Sequence, residues 1–312
     1  MNSTFPLISI ITPCLNRRQY IREAVESVLR QDYPHIEHIV IDGGSTDGTL
    51  DVLSNYPHLR VISEPDKNLY DGINKGIRLA KGEIIGHLNS DDLYTDNVFR
   101  EIVSLFQEYP EAEAICGGAC VFEDNPEGRN RRIVSIYEEP ENLIISIKSV
   151  TLLPPLTNAK FFYKSVYRKA GFYDTSYSIA ADREFLLRLA IKGVKTVSLE
   201  KVVYNYRQHP GSLTIRASSP QHAFRKLKEY LLISEAFLED YGSSEGEIPY
   251  PLRRWHTVTS LKLFSLLMSQ KRHREGLSLA IKGFKYDRLW PMFLSNYLLR
   301  YVVARLSRLW RI

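Results

Sequence analysis

The sequence feature that most constrains the fold is a short apolar run that stops at two adjacent carboxylates. Residues 84–88 are Ile-Ile-Gly-His-Leu, and Asn89, Ser90, Asp91 and Asp92 follow them directly. An apolar run bounded by turn-forming residues predicts a buried strand of a parallel sheet, and ligands of such sheets bind beyond the carboxyl ends of the strands. Adjacent carboxylates are costly to bury without a cation, a hydrogen-bond network or water. The pattern therefore indicates either a divalent cation site or a solvated turn that caps the next helix.

Strand-like and helix-like segments alternate along the first hundred residues. Residues 7–12 and 36–41 are apolar and β-branched, and residues 21–29 between them place apolar side chains at helical spacing. A strand, helix, strand pattern with short connections predicts parallel pairing through a right-handed crossover. Further strands at residues 59–63 and 84–88 extend the pattern. The sequence therefore predicts an α/β fold with a Rossmann-type, mostly parallel sheet flanked by helices.

Polar turns follow the predicted strands and supply candidate ligand contacts. The second strand runs into Asp42-Gly-Gly-Ser45, whose glycines allow close backbone approach and whose carboxylate suits the N–H of a base or a ribose hydroxyl. This turn lacks both the Lys-Ser/Thr of a P-loop and the GxGxxG spacing of a dinucleotide site. Each turn alone is equally well explained as structural. Convergence of several acidic or amide-rich turns on one rim favours a ligand site.

Four segments carry a resemblance to a known family. They are residues 12–16 (TPCLN), 42–49 (DGGSTDGT), 70–77 (YDGINKGI) and 88–92 (LNSDD). Together they resemble the successive signatures of the inverting family 2 glycosyltransferases of GT-A fold, over roughly residues 5–210. The resemblance implies a GT-A-like domain that transfers a sugar from a nucleotide donor, with a UDP-sugar favoured, to a hydroxyl acceptor. It also implies that Mn²⁺ or Mg²⁺ binds the diphosphate.

The resemblance assigns roles to individual residues of this rim. Asp92 is implied to be the direct metal ligand and Asp91 a second one. His209 is implied to be a third ligand or a diphosphate contact, and a structural role is the alternative. Leu15 stands where many members carry an aromatic residue that stacks on uracil, and Asn89 where many carry Asp. The residues implied to bind the nucleotide sugar are Thr12, Pro13, Leu15, Asn16, Asp42, Ser45, Asp66, Asn74, Asn89, Ser90 and Asp91.

A second informative segment contains a candidate general base. Asp182 precedes Phe185, Leu186 and Leu189 by three, four and seven residues, which places it on the apolar face of a predicted helix. An Asp in a first helical turn also stabilises the helix terminus, so capping is the alternative role. The resemblance implies that this Asp takes the proton of the acceptor hydroxyl as it attacks opposite the departing diphosphate, which inverts the anomeric carbon. Glu184 is the second candidate, but it faces another side of the helix.

The cysteines and the hydropathy pattern bear on compartment. Cys14, Cys116 and Cys120 form no CxxC pair and are odd in number, which predicts reduced, buried thiols. No apolar run has the length that a membrane span needs, and no signal-like segment opens the sequence. We therefore expect a cytoplasmic protein, and a peripheral position on the inner face of the membrane is compatible with the basic C-terminal region described next.

The charge distribution divides the chain. Residues 252–312 contain 13 Lys/Arg against 2 Asp/Glu. We predict a GT-A domain at residues 1–216 and a basic helical region at residues 217–312. The sequence predicts a basic amphipathic helix over residues 299–310 with Trp310, a pattern that suits anionic lipid. Packing against other helices or a second copy is the alternative. Nucleic-acid binding is not expected, because the tail does not combine aromatic and basic residues on one surface.

These features predict a glycosyltransferase of polysaccharide or lipid-linked glycan assembly, with a glycan or lipid-linked acceptor. The irregular, aromatic residues 152–173 border the acceptor site by resemblance. A nucleotidyltransferase, a nucleotide-sugar hydrolase and a non-catalytic sugar-binding scaffold are the alternatives. Their products distinguish them: a new glycosidic bond, a new nucleotide sugar, a free sugar, or none.

Overall fold

The chain forms two compact units, of which the first ends at Arg216 and the second begins at Ala217. The computed structural model of the protein describes residues 5–125, 131–209, 219–243, 247–286, 292 and 295. Each unit has a hydrophobic core of its own.

In the described part of the first unit, nine strands form one sheet. The strands are β1 (Ile8–Cys14), β2 (Ile36–Asp42), β3 (Arg60–Ser63), β4 (Ile84–His87), β5 (Leu93–Tyr94), β6 (Ala114–Asp124), β7 (Arg131–Tyr137), β8 (Lys160–Tyr163) and β9 (Thr196–Arg207). Their order is β3-β2-β1-β4-β8-β6-β9-β5, and β7 pairs with β6 beside this path.

Helices flank this sheet and make up the second unit. Those of the first unit are α1 (Ile21–Leu29), α2 (Thr49–Leu53), α3 (Leu69–Leu79), α4 (Phe99–Glu108), α5 (Ile147–Leu152), α6 (Ser165–Ala170) and α7 (Ala181–Ile191). Two short 3-10 helices cover Pro140–Asn142 and Thr157–Ala159. The second unit contains α8 (Pro220–Ser243), α9 (Tyr250–Ser269) and α10 (His273–Tyr286).

The first four strands in sequence form the parallel part of the sheet. β1 pairs in parallel with β2 and β4, and β2 pairs in parallel with β3. Every residue of β1 and β4 is buried. Burial on both faces explains why these strands are near-continuous apolar runs rather than alternating ones. The predicted α/β fold is confirmed, and its Rossmann-type half is this parallel segment.

The later strands make the sheet mixed. β8 is antiparallel to β4 and β6, β7 is antiparallel to β6, and β5 is antiparallel to β9, whereas β6 and β9 are parallel. The sequence did not indicate β7 or β8. β7 leaves Ile133, Val134 and Ile136 exposed, so its pattern lacks a buried face. β8 has only four residues inside an aromatic segment.

The long pairing of β6 with β9 contains an irregularity. Leu199 lies opposite Gly117 and Tyr204 lies opposite Ala119, so β9 takes five steps along the chain where β6 takes two. A Cβ at Gly117 would lie 2.5 Å from the side chain of Val203, so the close approach there requires glycine. After this bulge, β9 reaches the carboxyl edge of β4.

An aromatic cluster fixes the end of β9 in the core. The rings of Tyr94 and Tyr204 meet edge to face with centroids 5.5 Å apart, and Tyr94 meets Phe99 in the same way at 5.1 Å. Phe161 lies 5.6 Å from Phe99. Such pairs stabilise by about 0.5–1.5 kcal/mol each beyond the area that they bury. Tyr204 is therefore held rigidly.

The cysteines are free and buried, as predicted. Burial, with the charge of Asp42, raises the pKa of the Cys14 thiol to about 12. A thiol of this kind is a core side chain rather than a nucleophile or a metal ligand.

The second unit is a helical assembly in which α9 packs against both α8 and α10. Among the residues that the structure describes, no helix is both long enough and apolar enough to cross a membrane. The amphipathic helix predicted for residues 299–310 lies outside the described residues.

Candidate functional site

The carboxyl ends of β1, β2 and β4 lie side by side at one edge of the sheet. Cys14 is opposite Asp42 in the β1–β2 register, and Ile11 is opposite His87 in the β1–β4 register. The N–H of Leu88 donates to the carbonyl of Ile11 at 3.0 Å. The polar turns that follow these three strands are therefore neighbours.

Side-chain hydrogen bonds join the loop after β1 to the loop after β2. The N–H of Asn16 donates to Ser45 Oγ at 2.8 Å, and Asn16 Oδ1 accepts from the N–H of Thr46 at 2.9 Å. Asn16 has φ 52°, a left-handed conformation that Asn tolerates better than most residues. Leu15 beside it is 52 % exposed and offers an apolar surface at the mouth of the site.

Asp42 shapes the loop that follows β2. Its Oδ2 accepts from the N–H groups of Gly44 and Ser45 at 3.1 and 3.0 Å and from Ser63 Oγ at 2.6 Å, and its Oδ1 accepts from Ser45 Oγ. Burial raises the pKa of Asp42, but these donors outweigh it and leave the pKa below its ordinary value. Asp42 is thus ionised, and four donors hold it in place.

Asp66 lies between two glycines of the same rim. A Cβ at Gly43 or Gly72 would lie 3.3 or 2.9 Å from Asp66 Oδ2. Lys75 Nζ lies 2.8 Å from Asp66 Oδ1 and 2.9 Å from Glu64. Burial nevertheless raises the pKa of Asp66. Because Gly43 and Gly72 have no side chain, a ligand can approach their backbone closely and so come near the Asp66 carboxylate.

Asp42 is fully buried, and three further side chains that the resemblance assigned to the nucleotide sugar also lie in the interior. Thr12 Oγ1 lies 2.9 Å from Nε2 of the buried His38, and Pro13 is a buried residue of β1. The Asn74 side chain donates to the carbonyl of Tyr173 at 2.8 Å and accepts from its N–H at 3.0 Å. The Asn74 amide therefore connects α3 to the segment before α7.

The turn after β4 encloses Asp92. Its Oδ1 accepts from the N–H of Arg207 at 2.8 Å, and its Oδ2 accepts from Asn89 Nδ2 and the Tyr204 hydroxyl, each at 2.9 Å. Asp92 is 3 % exposed. Burial, with the neighbouring charge of Asp91, raises its pKa to about 8. The carboxyl group is thus turned inward, and protein donors occupy both oxygens. Ser90 of the same turn is also buried.

Asp91 points the other way, towards two cationic or metal-binding side chains. Its Oδ2 lies 3.0 Å from His209 Nε2 and 3.6 Å from Arg17 Nε. The His209 ring packs on Tyr20 with centroids 4.6 Å apart. Asp91 and His209, two of the predicted metal ligands, are therefore neighbours although 118 residues separate them in the sequence. Within the described residues, no group of three or more His, Cys, Asp or Glu converges on a metal position.

Arg207 fixes the Asp91–Asp92 turn and was absent from the predicted site. Its Nε donates to the carbonyl of Asp91 at 2.9 Å, its Nη2 to Glu23 Oε2 at 2.9 Å, and its Nη1 to Asp124. Burial lowers the pKa of Arg207, but the two carboxylates outweigh it and raise the pKa overall. The sequence pointed to Arg207 only through its position two residues before the predicted ligand His209, in the run Tyr206-Arg207-Gln208-His209.

Asp182 lies at the start of α7 and is partly buried. Its Oδ1 accepts from the N–H of Arg183 at 2.7 Å, and its Oδ2 accepts from Thr157 Oγ1 at 3.3 Å. Burial raises the pKa of Asp182, against the lowering effect of Arg183 and of the Tyr70 and Thr157 hydroxyls. The Asp182 carboxyl group therefore ionises less readily than that of a surface Asp, a property that is frequent at functional sites.

Glu184 is engaged elsewhere. Arg188 on the same helix donates to it from Nε at 2.6 Å and from Nη2 at 2.8 Å. Arg188 also donates to the carbonyl of Phe172 at 2.7 Å. Glu184 thus holds the Arg188 guanidinium in place.

Comparison with known proteins identifies the family. The model of the family "Glycosyl transferase family 2" matches residues 9–172. An uncharacterized glycosyltransferase of Mycobacterium tuberculosis is 35 % identical over 193 residues, covering 60 % of this chain and 70 % of that protein. A chondroitin synthase of Escherichia coli is 29 % identical over 217 residues, covering 68 % of this chain and 30 % of the synthase.

A solved structure supports the fold. A mannosyltransferase from Pyrobaculum calidifontis, in complex with GDP-Man and Mn²⁺, superposes with a TM-score of 0.56 at 17 % identity, covering 97 % of this chain and 88 % of that one. At this identity the match shows the GT-A-like fold. The family model, which matches more than half of the chain, and the 35 % identical relative show that the chain belongs to glycosyl transferase family 2.

Proposed function

We propose that this protein transfers a sugar from a nucleoside diphosphate donor to a hydroxyl acceptor with inversion, with the aid of a Mn²⁺ or Mg²⁺ ion. The observation that carries the proposal is the meeting of Asp91, His209 and Arg17 at the carboxyl edge of β4, beside the Asp42 loop. Parallel sheets bind ligands at this edge.

The residues present fit a divalent ion that is shared with a diphosphate. Asp91 supplies a carboxylate oxygen and His209 an imidazole nitrogen, 3.0 Å from one another. Mg²⁺ and Mn²⁺ are held by one or two protein ligands when phosphate oxygens complete the coordination. When bound, the ion would neutralise charge on the leaving diphosphate. Arg17, which lies against Asp91, would add a positive charge on the same side.

Asp182 would act as the general base. Its raised pKa makes it a better proton acceptor than an ordinary Asp, and its carboxyl oxygen stays held by Thr157. Removal of the acceptor proton would favour attack on the anomeric carbon from the face opposite the diphosphate, and the configuration would invert. The matched chondroitin synthase supports a glycan acceptor. We retain a UDP-sugar as the favoured donor, with Leu15 against the base.

The first test is stabilisation by nucleotides. Thermal unfolding should be recorded with UDP, GDP, CDP and dTDP, each with and without Mn²⁺. One diphosphate should raise the melting temperature by roughly 5–10 °C at 100 times its Kd, and only with the ion present. The matching monophosphate is the control, because it lacks the β-phosphate that would share the ion. Failure of all four diphosphates to stabilise the protein would contradict the proposal.

We also propose that the second unit contacts an anionic membrane surface. On α10, Leu277 and Ile281 are 63 % and 64 % exposed, and Arg274 and Lys282 lie beside them. Exposed apolar residues between basic ones are typical of helices that lie in a lipid headgroup region. Charge within residues 252–312 is strongly positive.

Vesicle sedimentation tests this contact. Wild-type protein should bind vesicles that contain phosphatidylglycerol more tightly than neutral phosphatidylcholine vesicles, and the doubly substituted Leu277→Glu, Ile281→Glu protein should lose about tenfold or more. Leu232→Glu on α8 is the matched control, since Leu232 is 47 % exposed in the same unit. Equal binding by the double variant and wild type would remove α10 as the contact.

A further inference from the structure

Hydrogen bonds made by two consecutive residues connect the candidate base Asp182 to Asp92 in the turn after β4. Thr157 Oγ1 donates to Asp182 Oδ2 at 3.3 Å, and the next residue, Asn158, donates from Nδ2 to the Tyr204 hydroxyl at 3.2 Å. The Tyr204 hydroxyl donates in turn to Asp92 Oδ2 at 2.9 Å. We propose that Thr157, Asn158 and Tyr204 are positioning residues that fix the base relative to the Asp91–Asp92 turn, and we call them the hydroxyl bridge. The inference rests on the function proposed above.

Tyr204 is well suited to this role because its hydroxyl is fully used. It donates to Asp92 and accepts both from Asn158 Nδ2 and from the N–H of Asn89 at 3.0 Å. The ring is completely buried and held edge to face by Tyr94. A hydroxyl has one proton and two acceptor lone pairs. A buried, saturated hydroxyl on a fixed ring cannot relax to a second arrangement cheaply.

The other end of the bridge carries backbone strain. Leu156, just before Thr157, has φ 42° and ψ 46°, a left-handed conformation that is uncommon for a residue with a branched side chain. Conformations of this kind persist where the surroundings determine them and cluster at functional sites. Here the strained residue directs the 3-10 helix Thr157–Ala159 so that Thr157 meets α7 while Asn158 meets β9.

The reaction explains why such a bridge is useful. Inversion requires the base and the departing diphosphate on opposite sides of one carbon, so their separation must match the substrates. Misplacement of a reacting group by about 1 Å lowers the rate by about 100-fold. Asp182 is carried by α7, whereas the Asp91–Asp92 turn follows β4, and the bridge ties these separate elements together.

The groups around Asp182 define what a pH measurement reports. Tyr70 from α3, Tyr173 from the segment before α7 and Tyr206 from β9 interact with its charge, and the positive charge of Arg183 lowers its pKa. Thr157, together with Tyr70, is an uncharged donor that stabilises the ionised carboxylate. Removal of its hydroxyl should therefore move the acidic limb of the rate profile to higher pH.

A double-mutant cycle on turnover tests the bridge. The donor whose diphosphate stabilises the wild type is supplied with water as acceptor, and release of the nucleoside diphosphate is measured at saturating donor. Thr157→Val and Tyr204→Phe should each lower turnover by about 10–100-fold. The turnover of the double variant should lie within about threefold of the turnover of the slower single variant, because both substitutions break the same bridge. Thr157→Ser should recover the rate and the wild-type acidic limb.

A control variant and two contrary results complete the test of the bridge. Tyr33→Phe removes a buried hydroxyl that donates to the carbonyl of Pro6 at 2.5 Å, ahead of the amino end of β2, and should keep wild-type turnover. Single losses that multiply in the double variant, or an unchanged acidic limb in Thr157→Val, would overturn the bridge while Asp182→Asn still abolished release. Wild-type protein that is stabilised by none of the four nucleoside diphosphates and releases none from any donor would instead overturn the proposed function, and the positioning roles with it.

Discussion

Replacement of Asp182 by asparagine is expected to lower turnover by about 10²–10⁴-fold, the range typical of a lost general base. Asparagine keeps the size of the side chain: its oxygen can still accept from the N–H of Arg183, and its NH2 group can donate to the Thr157 hydroxyl, which can rotate to accept. It cannot take the proton of the acceptor. Metal-dependent stabilisation by the nucleoside diphosphate should remain, because Asp182 does not belong to the Asp91–His209 pair. Turnover and nucleotide-dependent melting should be measured on the same preparation.

Glu184→Gln is the matched control on the same helix. The amide retains an acceptor for Arg188, so turnover should fall by less than about tenfold, below the range for a base. Full activity of Asp182→Asn would remove Asp182 as the base. An equal loss in both variants would mean that damage to α7, rather than loss of a proton acceptor, explains the effect.

Asp91→Asn and Asp92→Asn are expected to fail in different ways. Asp91 faces His209 and Arg17 near the surface, so its substitution should change the free energy of unfolding by less than about 1 kcal/mol. Mn²⁺ affinity in the presence of the stabilising diphosphate should fall by more than the roughly 10–100-fold typical of outer-shell changes. Calorimetric Mn²⁺ titration measures the loss.

Asp92→Asn should instead lower the free energy of unfolding by about 1–3 kcal/mol, because an amide would replace one oxygen of a buried acceptor group. The affected partners are the Tyr204 hydroxyl and the Asn89 amide. Chemical denaturation at neutral pH measures this cost. A stable Asp92→Asn protein without Mn²⁺ dependence, together with an unaffected Asp91→Asn protein, would return direct metal ligation to Asp92, as the family resemblance first implied.

The sequence predicted the location of Asp91 and Asp92 but not their different orientations. The apolar run before Asn89 predicted the strand, and its abrupt end predicted the site at the carboxyl edge. Which of two adjacent carboxylates turns inward depends on Tyr204 and Arg207, which contact Asp92 from 112 and 115 residues further along the chain. No local pattern contains that information.

β7, β8 and the structural contact of Asn74 were not predicted, because no local sequence pattern indicates them. Parallel strands that are buried on both faces can be predicted from their apolar composition, and β1 is an example. β8 is too short to show a period, and β7 has no buried face to alternate with. Asn74 was assigned to the nucleotide by motif, but its amide is used by the backbone of Tyr173, a contact across 99 residues.

The position of Tyr204 in the site depends on the number of residues in the bulge of β9, whereas the pairing of the strands does not. Side chains alternate along a strand, so a slip of one residue exchanges the faces of every residue after it. If one residue between Leu199 and Tyr204 were deleted and the bulge kept its shape, the register of β9 against β6 would slip by one residue after the bulge, with the pairing of the strands intact. Tyr204 would then turn away from Asp92. Relatives of this chain with an insertion or deletion at this point would therefore keep the sheet but lose the contact between Tyr204 and Asp92.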